Sequence, residues 1–137
     1  MYGNMRVKTM MASIAQSRGW PMRDDGMGGM MLEIVLPTRR TQVVRMTPTR
    51  DADGLEVLFF WSIAVPVNRI PDPWMLLQES VRLSYGDYAV KDGNVIVLTS
   101  RMSDYVQADE LARVLYYVGL NADELERRIM GPMYDGN

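Results

Sequence analysis

Two residue types that carry much of biological catalysis are missing from this chain of 137 residues: it has no histidine and no cysteine. Their absence removes the usual acid/base group near neutral pH, the commonest metal ligand and the thiol nucleophile together. A zinc site would have to use carboxylates alone, which is unusual. Ser-His-Asp and Cys-His nucleophile systems are impossible. Asp, Glu, Lys, Arg, Ser and Tyr remain, and their spacing favours structural roles. Gly26-Met27-Gly28-Gly29 has the small residues of a phosphate loop, but it precedes a strand and no Lys-Ser/Thr follows it, so a flexible connector is expected over Arg23 to Gly29. Asp24-Asp25 lacks the third carboxylate of a cation loop. Asp51, Asp53 and Glu56 fall at a hairpin tip, where turn formation explains them. Tyr105, Tyr116 and Tyr117 have no basic groove beside them in which a base would stack. Arg39-Arg40 reads as a solvated hairpin turn. No catalytic residue, metal ligand or cofactor is expected.

The elements that would position any site follow from periodicity. Val7, Met10, Met11 and Ile14 recur at helical spacing over residues 5–18, with Asn4 as a candidate cap and Gly19 then Trp20-Pro21 as the stop. Three strands follow: Met30 to Leu36, Thr41 to Thr47 with Pro48 at its end, and Leu55 to Val65. Asp72 and Pro73 open a helix running from Trp74 to about Tyr85, with Trp74, Leu77, Val81 and Tyr85 on one face. Asp92-Gly93 then joins two strands in a hairpin with a type I′ turn. Leu111, Leu115, Val118, Ala122, Leu125 and Ile129 keep one phase through Gly119, so a single helix over about Ala108 to Met130 is expected rather than two capped at Asn121. The fold class is α+β: an antiparallel sheet with helices packed on it, in the order α-βββ-α-ββ-α. One domain spans residues 1–137, with its core over about 5–130 and a short flexible C-terminal tail.

Composition narrows the partners. Net charge is −2 and the basic residues are scattered, which gives nucleic acid no footprint. No apolar run is long enough to span a bilayer, and Met1 to Gln16 lacks the apolar core of a signal peptide, so a cytoplasmic location without membrane contact is expected. Methionine is the outlier at 13 residues, suited to irregular cores and to surfaces that accept varied partners.

The order of elements resembles the type III secretion chaperone-like superfamily, and within it the YbjN-type bacterial proteins. The likeness is densest from Trp74 to Ile129, through YGDYAVKDGNVIVLTSRM and ADELARVLYYVGLNADELERRI, where the Lys91-Asp92-Gly93-Asn94 turn precedes the long last helix. The resemblance implies a homodimer that binds a segment of a partner protein without catalysing a reaction, as a chaperone or a regulator. The chain departs from it in being only mildly acidic and in its short first helix.

Two sets of residues are candidates for contact. Met10, Met11 and Ile14 on the first helix, with Val44 and Met46 on the second strand, would form a partner-binding surface. The third strand is apolar on both faces, with Phe59, Trp61 and Ile63 on one and Leu58, Phe60 and Ala64 on the other. It is therefore expected to be central and covered on both sides, either by the chain's own helices or by a second subunit. The competing class is a small-ligand-binding protein or enzyme using Asp, Glu and Arg, which requires a pocket with convergent polar groups.

Overall fold

A computed structural model describes residues 2–131; the C-terminal tail expected beyond them lies outside the described residues. The chain forms α1 (Tyr2–Arg18), β1 (Met22–Asp24), β2 (Met30–Val35), β3 (Thr41–Arg50), β4 (Glu56–Pro66), α2 (Pro73–Ser80), β5 (Asp87–Lys91), β6 (Asn94–Met102) and α3 (Ala108–Met130). The strands make one six-stranded sheet in the order β1-β2-β3-β4-β6-β5, antiparallel at every pairing. This is the expected α+β class and order, with one extra strand. Residues Met22 to Asp24 pair with Met30 to Leu32 rather than forming a free connector. The turn between them is fixed by the two carboxylates: Asp24 Oδ1 accepts from the Gly26 N–H, and Asp25 Oδ1 from those of Met27 and Gly29.

Other boundaries move for local reasons. Asn4 does not cap α1, which begins at Tyr2; its amide faces Glu56 instead, at 3.5 Å. Gly19 does end the helix. Its φ of 72° lets the Trp20 N–H reach back to the Ala15 carbonyl at 2.9 Å, a Schellman closure. Strand β3 runs past Pro48 to Arg50 because β2 leaves it after Met46; at Pro48 it pairs with β4 alone, and a strand with one free edge tolerates a missing N–H. Helix α2 ends at Ser80, short of the expected Tyr85, in turns closed by Arg82 N–H to the Glu79 carbonyl and Leu83 N–H to the Ser80 carbonyl. Asp72 caps α2 from its carboxylate to the Trp74 N–H, as expected, with Pro73 in the first turn. Asp92 and Gly93 both take positive φ, 51° and 80°, as a type I′ turn requires.

Helices α1 and α3 pack on one face of the sheet. Their inward residues, Val7, Met11 and Ala15 from α1 and Leu111, Leu115, Val118, Ala122 and Leu125 from α3, meet Leu32, Ile34, Val44, Met46, Leu58 and Phe60 from β2, β3 and β4. Helix α3 is continuous through Gly119, and the structure shows why glycine stands there. A Cβ would lie 3.1 Å from Val44 Cγ2 and 3.3 Å from Ile34 Cγ1, so the helix crosses the sheet at its closest approach. Gly119→Val is therefore expected to lower stability by about 1–3 kcal/mol through overpacking. A thermal melt checks this; an unchanged midpoint would mean the helix can lift off the sheet without loss.

A buried polar pair occupies this face where the β3–β4 ladder ends. Gln42 Nε2 donates to Ser62 Oγ at 2.9 Å and to the Ile63 carbonyl at 2.6 Å, while Ser62 Oγ donates to the Val43 carbonyl at 2.6 Å. Side chains thus satisfy carbonyls that backbone pairing no longer reaches. Further along β4, a bulge at Ala64 breaks the alternation, so Ala64 and Val65 are both buried.

Candidate partner-binding face

Strand parity divides the residues between two faces, and the two faces fare differently. Phe59, Trp61 and Ile63 alternate with Leu58, Phe60 and Ser62. The latter three are fully buried under the helices. The former three lie on the opposite face with no helix of the described residues across it, and each is half-buried. The central strand is therefore covered by its own chain on one side only, so of the two covers expected from the sequence the chain's own helices supply just one face. The reason is connectivity: α1 and α3 pack on one side of the sheet, and the short α2 lies at the β5 edge, anchored by Leu76.

The open face is concave. A groove of about 730 Å³ is floored by Phe59, Trp61, Ile96 and Leu98, and bordered by Met27 and Met31 on the β2 side and by Val90 and Lys91 on the β5 side. The Trp61 indole is held in place, its Nε1–H donating to Thr47 Oγ1 at 3.0 Å. Two cations flank it. The Arg45 guanidinium and the Lys91 ammonium each lie 5.3 Å from the ring centroid, within cation–π range.

The other candidate set is largely withdrawn from solvent. Val44, Met46 and Met11 are at 0% exposure inside the core and present no surface to a partner. They carry the helical and alternating patterns because those patterns mark the core face. Met10 and Ile14 are half-buried at its margin. The residues missed by sequence reading are their odd-numbered neighbours on β3, above all Arg45, which shares Trp61's face. Strand parity was the available signal.

The Arg39-Arg40 turn also divides. Arg39 is exposed, but Arg40 reaches back under α3, with Nε 2.8 Å from Asp123 Oδ1 and one terminal nitrogen 2.9 Å from Glu126 Oε1. Both acids are buried, and Arg127 approaches Asp123 from the same helix at 3.4 Å. This is a buried ionic cluster in place of the expected solvated turn.

A smaller cleft, of about 290 Å³, lies between α2, β5 and α3 and is lined by Glu79, Tyr88, Glu124 and Arg128 among others. Arg128 grips Glu79 through two hydrogen bonds of 3.1 and 2.6 Å, and this pairing raises its pKa further above the arginine range. Burial raises the Tyr88 hydroxyl above its ordinary value, against the pull of Arg128. A raised pKa makes this hydroxyl a poorer general base near neutral pH. Among the described residues, no three Asp or Glu side chains converge as a metal site, and no helix is long and apolar enough to cross a membrane.

One helix-covered sheet face, one open grooved face and a long closing helix can now be set beside known structures. The fold is that of the type III secretion chaperones. A chain of the HopA1–SchA chaperone–effector complex superposes with a TM-score of 0.62 at 16% identity, covering 93% of this chain and 98% of that one. A chain of the ExsC–ExsE complex gives 0.65 at 14% identity, covering 92% and 95%. The Yersinia pestis type III secretion chaperone SycH in complex with a stable fragment of YscM2 gives 0.57 at 16% identity, covering 85% and 97%. No protein-family model matches the sequence, and no curated protein matches it significantly. At such identity the likeness to the chaperones is one of fold, extending over nearly the whole of each chain.

Proposed function

We propose that this protein is a non-enzymatic, cytoplasmic, chaperone-like or regulatory module, akin to the YbjN-type proteins, that works as a homodimer and binds an extended segment of a partner protein. The open groove on the sheet carries this reading. An apolar floor with an indole and a polar rim is a surface for side chains of another chain. Phe59 and Trp61 are its anchors, with Ile63 on the same face. The chaperone fold adds weight, since similar solved chains come from complexes between a chaperone and a partner.

The dimer contact is assigned to α2. Trp74, Leu77 and Val81, which their spacing puts on one face, are 71%, 60% and 85% exposed. Three large apolar side chains on one eight-residue helix and its cap form a contiguous stripe, the kind of surface a second copy would cover symmetrically. Light scattering from dilute to concentrated protein tests it. A dimer that persists at low micromolar concentration and becomes monomeric in Leu77→Asp is the expected result. A strict monomer at every concentration sinks the homodimer. Retained partner binding by Trp61→Asp would move the partner site off the sheet.

A further inference from the structure

The groove's charges are unequally matched. Four charged side chains line it: Arg45, Lys91, Asp25 and Asp92. Lys91 has the Asp92 carboxylate 3.2 Å away. Asp25 is occupied by the backbone N–H groups of its own turn. Among the described residues Arg45 has no oxygen acceptor; its hydrogen bond goes to the Met31 thioether sulfur, at 3.6 Å. The other half-buried arginines all reach one. Arg6 donates to the Ser103 and Val106 carbonyls, while Arg40, Arg101 and Arg127 face carboxylates. The indole covers one face of the Arg45 guanidinium but leaves the N–H edge without a strong acceptor.

Water can satisfy that edge while the groove stands open. An apolar segment laid over Trp61 and Phe59 would strip the water and leave the guanidinium's N–H edge with no oxygen acceptor, which is strongly unfavourable. A binding segment must therefore bring its own acceptor. A carboxylate matches best, because the planar fork of guanidinium takes both its oxygens in one plane while the ring stays stacked. We infer that Arg45 selects a partner segment carrying an acidic residue among apolar ones, its carboxylate paired with Arg45 and its apolar neighbours seated on Phe59, Trp61 and Leu98. In an extended segment alternate side chains share a face, so the sequence signature is apolar, any residue, acidic, any residue, apolar. This inference rests on the groove being the partner site.

The test uses three synthetic peptides of that alternating pattern, identical except for Glu, Gln or Lys at the central position, titrated into the wild-type protein by calorimetry at low salt. The Glu peptide is expected to bind about tenfold or more tightly than its Gln twin, and the difference should shrink as salt is raised. Arg45→Gln should abolish the preference, and Arg45→Glu should transfer it to the Lys peptide. Equal binding of the Glu and Gln peptides, with both lost in Phe59→Asp, overturns the acidic preference and leaves the groove as the site. No binding by any peptide overturns both readings. A dimer that dissociates on Arg45→Glu also overturns the inference, because a second copy would then supply the carboxylate.

Discussion

Arg40→Ala is expected to lower stability by about 3–5 kcal/mol, the cost typical of breaking a buried ion pair by removing one partner. Asp123 and Glu126 have side chains 1% and 0% exposed, and Arg40 itself is 11% exposed. Without it, Asp123 keeps Arg127 at 3.4 Å and Glu126 loses the guanidinium it faces. Two buried carboxylates would then have one positive charge fewer beside them. In a domain of this size the melting midpoint should fall by roughly 10 °C or more. The companion experiment replaces all three with apolar residues of similar volume, Arg40→Met with Asp123→Leu and Glu126→Met. That triple variant should recover most of the loss, because an apolar set removes the desolvation cost together with the attraction. A shift of only about 1–2 °C in Arg40→Ala would show that the cluster is solvated and of little consequence.

Neighbouring phenylalanines make the second large prediction. Phe60→Ala should cost about 3–5 kcal/mol, because Phe60 is at 0% exposure in the helix-covered core and its loss opens a cavity among large side chains. Phe59→Ala should cost about 1 kcal/mol, since the half-buried ring on the open face loses partial contact and leaves no closed void. Denaturant titration of both variants reads the difference directly. Equal, large losses would mean that the second face is also covered in solution, and the comparison repeated under dimer-dissociating conditions would then show whether a second copy provides the cover. Equal, small losses would contradict the packing of α3 on β4.

The buried cluster shows why part of the structure was hidden in the sequence. Arg39 and Arg40 are adjacent and chemically identical as letters. One is exposed in a turn with φ of 66°, and the other is drawn under a helix whose acids lie 83 and 86 residues away along the chain. Nothing local distinguishes them. Asp123 and Glu126 did carry a faint signal, since they border the apolar stripe of α3 at Ala122 and Leu125. Gln42 is a similar case: its place among alternating apolar residues of β3 put it on the core face, but the ladder's end that it caps exists only in the paired sheet.

Sequence by itself determined the kinds of element, their order and the inward side of most of them, because periods of 2 and 3.6 residues record which side chains share a face. It also determined three breaks: the Gly19 stop, the Asp72 cap and the Asp92-Gly93 turn each need particular residues for backbone reasons that act locally. Only the tertiary structure decided which apolar faces are covered. Periodicity marks a face as apolar whether or not anything lies over it, so Val44 and Met46 read alike with Trp61 and Leu77, although the first pair is core and the second pair is surface. The cover comes from long-range packing of α1 and α3, which leaves the Trp61 groove and the α2 stripe uncovered by the described residues.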